Sequence, residues 1–303
     1  MTLTDRLWTY QAERFPLART VPLLAVFAAA GILVSAGLAG RAPPGPWAYI
    51  AGLILGLVVF FQLRVADEHK DFEDDLRYRP DRAVPRGLVS LKLLAGLAAG
   101  ASLIAVAAAL TRPAPTAITL LLVWGCMWLM RREFFVAGWL KAHPVLYLAS
   151  HMAVMPLIDL MLTSLDWAGA GWPPPGIGVY LAMSFVNGCV LEIGRKTWAP
   201  ASELDGVDSY SRLWGPRNAA LIWLACVVVA AGLAALVGHR LGAGPVVGVA
   251  AVLGVLGAGW AALRFAVNPD VARQAWIDRA AGLWVFGAYA AVGFLPLITG
   301  AAP

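Results

Sequence analysis

Residues 64–86 read RVADEHKDFEDDLRYRPDRAVPR, and the stretch is bounded on both sides by sequence that is almost pure hydrocarbon. Six acids fall within nine residues (Asp67, Glu68, Asp71, Glu73, Asp74 and Asp75), a third of the 18 in the chain. Four arginines follow directly: Arg77, Arg79, Arg82 and Arg86. Charge this dense between two apolar runs cannot lie in hydrocarbon, so the runs are read as membrane spans and the patch as a loop at the membrane surface.

Composition agrees. Apolar residues make up 60% of the 303, charged residues 14%, and mean hydropathy is +0.73. Soluble domains carry roughly 25% charge, which excludes an ordinary soluble enzyme. Apolar runs near Val21–Gly40, Trp47–Leu63, Leu91–Leu110, Thr116–Met130, Val145–Leu162, Gly176–Leu191, Ala219–Val237, Gly244–Leu263 and Ala280–Ile298 each approach the ~20 residues that cross a bilayer. The expected fold is therefore all-α, a polytopic bundle of nine transmembrane helices. The first run is too long for a signal-peptide core and leads straight into the next span, so it is read as an uncleaved helix. Cys126, Cys189 and Cys226 stand apart inside apolar runs, a pattern of small buried hydrophobes with neither a disulfide nor a zinc signal.

Of the 23 Lys and Arg residues, all but Arg41, Arg112 and Arg240 fall in the N-terminal segment and the alternate loops that face the same side. This positive-inside bias puts the N-terminus and both long polar loops (64–92 and 192–217) in the cytoplasm, with the chain in a cell membrane. The net charge of +5 is thereby explained by topology, and nucleic acid is not an expected partner.

Asp67, Asp71 and Asp75 recur every four residues, so on a continuous helix they share one face, and Glu68 joins them by its three-residue step to Asp71. Two like charges about 5 Å apart repel by about 3 kcal/mol at an effective dielectric near 20. A cation between them removes that cost. Mg²⁺ suits the place, because it takes oxygen ligands and divides its coordination between a few carboxylates and substrate phosphates. A solvated loop with no ligand has the same composition, and spacing alone leaves both readings open.

The same residues carry a resemblance. Asp67-Glu68-x-x-Asp71-x-x-x-Asp75 resembles the NDxxDxxxD motif of the UbiA superfamily of intramembrane prenyltransferases, and Asp81–Gly87 (DRAVPRG) is similar to the family's NRPLPSG-type segment. In the second polar loop Glu192 closes the sixth span, and Gly206–Gly215 (GVDSYSRLWG) is similar to the family's G-[IV]-x-T-x-x-x-x-x-G ending, with Ser209 at the threonine place. The loop departs from the family in its leading Glu, in its middle (EIGRKTWAPASE) and by about three extra residues.

The resemblance implies one domain over residues 1–303 that transfers a prenyl group from an isoprenyl diphosphate to a lipophilic or aromatic acceptor within membrane lipid. It implies Mg²⁺ held by Asp67, Glu68, Asp71, Asp75, Glu192 and Glu203. Diphosphate contacts fall to Lys70, Arg79, Arg82, Arg131, Arg132, Arg195 and Lys196, with Asp67, Asp71 and Lys196 nearest the chemistry. For the basic residues a plain topology anchor is the competing reading.

Within the membrane His151 and Asp159 of the fifth span stand out. An acid within a span faces the bundle interior and is a functional candidate, here for an acceptor pocket, a proton path or a packing hydrogen bond. A terpene cyclase on the same scaffold and a cation transporter are the alternative functions. Transport asks for more polar residues deep in the spans than Asp159, Asn187 and His151.

Overall fold

In a computed structural model that describes residues 1–300, helices are the only regular secondary structure among the described residues. Among the described residues nine helical segments are long and apolar enough to cross a membrane, and the protein is a multi-pass membrane protein. An N-terminal helix α1 (Leu3–Arg14) precedes the first two spans, α2 (Leu17–Leu38) and α3 (Pro46–Lys70). A short helix α4 (Phe72–Tyr78) leads to α5 (Leu91–Leu110) and α6 (Ala114–Arg131). After the short α7 (Ala137–Ala142), the fifth span is built from two pieces, α8 (Pro144–Met152) and α9 (Val154–Trp167). Then come α10 (Ile177–Arg195), the short α11 (Tyr210–Trp214), and the last three spans α12 (Pro216–Arg240), α13 (Gly244–Val267) and α14 (Val271–Ile298).

Local chemistry sets the boundaries. Pro46, Pro115, Pro144, Pro216 and Pro245 stand in the first turns of their helices, where the missing N–H costs nothing. The fifth span breaks after Met152 because Pro156 cannot donate to the Met152 carbonyl and its ring pushes against it. Small residues bring helices close: a β-carbon on Gly293 of α14 would stand 2.7 Å from the Ala30 backbone of α2. On Gly194 of α10 it would stand 2.6 Å from Ala281 of α14.

Two departures from the sequence reading bear on function. The N-terminal segment is a helix, opened by a capping box between Thr2 and Asp5. It lies on the charged end of the bundle, where Arg14 pairs with Glu68 at 2.6 Å, Arg86 with Glu13 at 2.6 Å, and Arg6 donates to the Leu88 carbonyl. The second departure is at Asp71, which ends α3 and begins α4 with φ −91° and ψ 6°. Asp67, Asp71 and Asp75 therefore do not line one continuous helix face. Asp67 is on the last turn of the span, Asp71 at the corner and Asp75 on α4.

The three outlying arginines gather at the opposite end. Arg41 pairs with Asp166 at 2.5 Å, Arg112 donates to the Leu165 carbonyl at 2.7 Å, and Arg240 lies against Gly176. The partition of basic residues along the sequence is thus a partition between the two ends of the bundle.

Candidate active site at the charged rim

The two long polar loops meet at one rim. Gly206, at φ 74°, packs so closely on the Tyr78 ring that no β-carbon fits between them. Asp67 lies within electrostatic reach of Arg195 and Glu192, and Asp71 within reach of Lys196, Arg82 and Asp75. The two acidic segments, separated by more than a hundred residues in sequence, thus share one electrostatic neighbourhood.

Partners differ among the six acids expected at a metal. Glu68 is buried at 2% exposure and bound to Arg14 at 2.6 Å, beneath the α1 helix. Asp75 is buried at 3% and receives Arg82 at 2.6 and 2.8 Å and Arg79 at 3.4 Å. Glu192 receives Arg195 and Lys196, each at 2.8 Å. Glu203 accepts the Ser209 hydroxyl at 2.7 Å and lies 3.9 Å from Arg212. Its bond fixes Ser209, which in turn caps α11.

Asp67 has only a loose contact with Arg64, at 3.5 Å. Among the described residues Asp71 has no ion pair. Burial pushes the Asp71 carboxyl above the ordinary carboxylate range, and Asp75 adds to this; Lys70, Lys196 and Arg82 act in the other direction. A carboxylate in that state is one that an added cation would stabilise.

Among the described residues no three His, Cys, Asp or Glu side chains stand close enough to form a protein-only metal cage. Asp67, on the last turn of α3, and Asp71, at the corner after it, still fit an ion that takes one or two carboxylates and draws its remaining ligands from phosphate and water. The donor set suits a metal that arrives with its substrate.

Arg79, Arg82, Arg195 and Lys196 all sit at this rim, on carboxylates rather than free. Arg131 and Arg132 are exposed, with Arg132 over the Trp128 ring at 5.8 Å. Lys70 turns away from the acids of its own segment to Glu133 at 2.5 Å and to the Tyr147 hydroxyl. Glu133 and Tyr147 were not candidates from sequence. Glu133 reads there as one more loop acid after Arg131-Arg132, and nothing in the spacing says that it returns to the fifth span.

His151 and Asp159 belong to different surroundings. Asp159, fully buried on α9, accepts the hydroxyls of Tyr180 on α10 at 2.9 Å and Tyr289 on α14 at 2.7 Å. Both oxygens are thereby used, and the three side chains tie three helices together. A separate cavity of 430 Å³ opens among α12, α13 and α14, lined by small residues with Trp260, Trp276 and Trp284. None of the candidate site residues lines it, so the cavity and the rim are distinct places.

No family profile and no curated protein matches the sequence. Solved structures do. A ligand-free UbiA homologue from Aeropyrum pernix K1 superposes with a TM-score of 0.70 at 16% identity, over 90% of this chain and 97% of that one. The chain has the UbiA fold. A digeranylgeranylglyceryl phosphate synthase in membranes gives a TM-score of 0.62 at 14% identity, over 97% of this chain and 99% of the other. Within the UbiA fold the charged rim of this chain is formed by the corner after its second span and the loop after its sixth.

Proposed function

We propose that the protein is an intramembrane prenyltransferase that moves a prenyl group from an isoprenyl diphosphate to a membrane-associated acceptor, with its rim on the cytoplasmic side. The observation that carries this reading is the meeting of Asp67 and Asp71 with Arg82, Arg195 and Lys196 at one rim on a bundle with the UbiA fold. Fold alone would not choose an activity; the mixture of under-paired carboxylates and basic donors supports this one.

Asp67 and Asp71 would hold Mg²⁺, which would supply Lewis-acid stabilisation of the leaving diphosphate. The basic residues do the rest by exchanging partners. Arg82 now holds Asp75, and Lys196 now holds Glu192. On substrate binding both donate to phosphate oxygens instead, in charge-assisted bonds about twice as strong as neutral ones. As the bond between C1 and the bridging oxygen breaks, its electron pair leaves with the diphosphate, and these donors stabilise the growing charge. The prenyl cation is left at the apolar end of the rim, where helix walls keep water from quenching it, and the acceptor closes the reaction.

The test is incubation of membranes carrying the full chain with labelled geranyl, farnesyl and geranylgeranyl diphosphates, with Mg²⁺ and with excess chelator. Mg²⁺-dependent diphosphate release coupled to a new prenylated lipid supports the reading. A lack of release from any of the three rejects it.

A further inference from the structure

After α6 the backbone does something unusual. Glu133, Phe134 and Phe135 all adopt left-handed conformations, with φ of 48°, 52° and 62°. Non-glycine residues enter that region singly, because the β-carbon crowds the following carbonyl oxygen. Three in succession persist only where the surroundings require them, and such strain gathers at functional sites. Here the turn carries the Glu133 side chain to Lys70, Tyr147 and His151 on neighbouring elements.

His151 is 9% exposed and firmly oriented. Its ring stacks on Tyr147 with centroids 4.1 Å apart and meets Phe134 edge-on at 5.9 Å. Its Nδ1 lies 2.9 Å from the Tyr147 carbonyl oxygen. A carbonyl only accepts, so Nδ1 carries the hydrogen, and in the neutral ring Nε2 presents a lone pair. That lone pair is 3.4 Å from Glu133 Oε2. Both atoms are buried, and neither makes a hydrogen bond among the described residues.

With the imidazole neutral, two acceptors therefore face one another without solvent exposure, and a proton on Nε2 would turn the contact into an ion pair. Buried polar atoms of this kind call for a partner, and the missing partner is a donor. The pair also adjoins the rim: Lys70 immediately precedes Asp71, and Glu192 is within electrostatic reach of His151.

We propose that Glu133 and His151 receive the O–H group of the acceptor, which makes that acceptor an alcohol or a phenol, and that His151 Nε2 is its general base. The inference rests on the prenyl-transfer reading. In the step, the C1–diphosphate bond breaks and its electron pair departs with the diphosphate, and the acceptor oxygen then forms its bond to C1 of the prenyl cation. The hydroxyl proton passes to Nε2, which leaves an imidazolium beside the Glu133 carboxylate. Glu133 is a positioning residue, fixed by Lys70 and by the Tyr147 hydroxyl at 3.3 Å.

The experiment uses membranes carrying the full chain, labelled geranyl, farnesyl and geranylgeranyl diphosphates, and Mg²⁺. Two quantities come from each sample: diphosphate released to water, and label recovered as prenyl ether rather than free prenol. General bases contribute about 10²–10⁴-fold. His151→Asn is expected to lower ether at least a hundredfold and release less than tenfold, with the lost ether appearing as prenol. Glu133→Gln lowers the ether-to-release ratio about tenfold, and Glu133→Asp recovers part of it; if His151→Asn does not accumulate, these two variants carry the test. An unchanged ratio in the variants, or a wild-type product without a prenyl–oxygen ether bond, overturns the inference and leaves prenyl transfer standing. No diphosphate release by the wild type overturns both.

Discussion

Replacing Glu68 with Gln separates a structural acid from the acids beside it that we propose hold Mg²⁺. The Glu68 side chain is 1% exposed and that of its partner Arg14 15%, with 2.6 Å between them. Removing one member of such a pair leaves the other charge buried and uncompensated, which costs about 3–5 kcal/mol. Unfolding entropy of about 2.1 cal/mol/K per residue over the 303-residue chain converts this to a fall of about 5–8 °C in the unfolding midpoint. The measurement is thermal unfolding in detergent, alongside the Mg²⁺ concentration that half-saturates diphosphate release. The midpoint is expected to fall while the Mg²⁺ requirement of the surviving fold stays at the wild-type value. Replacing both partners (Arg14→Met with Glu68→Leu) recovers most of the loss, because an apolar pair of similar volume carries no desolvation penalty. A Glu68→Gln protein with an unchanged midpoint and a weakened Mg²⁺ requirement would refute the reasoning and return Glu68 to the metal.

Three other substitutions probe the rim and the bundle. Lys196→Gln removes a charge-assisted donor worth about 1.5–3 kcal/mol, so kcat/KM for the prenyl diphosphate is expected to fall about 10–150-fold, measured by initial rates. Asp159→Ala leaves the Tyr180 and Tyr289 hydroxyls without their acceptor, at about 1–3 kcal/mol each; the unfolding midpoint drops, and activity per folded molecule is retained. Loss of activity at an unchanged midpoint would instead make Asp159 a functional acid. Gly293→Val pushes α14 off α2, since a β-carbon already stands 2.7 Å from the Ala30 backbone; overpacking costs about 1–3 kcal/mol, read as less folded protein by size-exclusion yield.

The spans were legible in the sequence because a bilayer imposes a length of hydrocarbon, and nothing else in the chain produces runs of that length. Their ends were less so. α3 continues through the charged residues to Lys70 and turns only at Asp71, because helical hydrogen bonding does not stop where hydrophobicity does. A four-residue repeat could not reveal that corner. α1 was missed because its signal is a local capping box in a polar segment, with no apolar run behind it. At the rim, residue types could be read and pairings could not. Glu68 and Asp71 stand three residues apart in one motif, yet among the described residues one is bound to Arg14 and the other has no ion pair. That difference depends on where α1 folds back. Glu133 is the clearest omission, since three left-handed residues bring it to His151, and no propensity foretells such a run.

The central claim is that Asp67 and Asp71 act with substrate-borne Mg²⁺ on an isoprenyl diphosphate. Its most direct test is diphosphate release by the purified full chain, with and without Mg²⁺, for the wild type and Asp71→Asn at equal unfolding midpoints. The account predicts Mg²⁺-dependent release by the wild type and a loss of at least a hundredfold in Asp71→Asn, in the range that electrostatic stabilisation of a transition state supplies. Near-wild-type, Mg²⁺-dependent release by Asp71→Asn would contradict it.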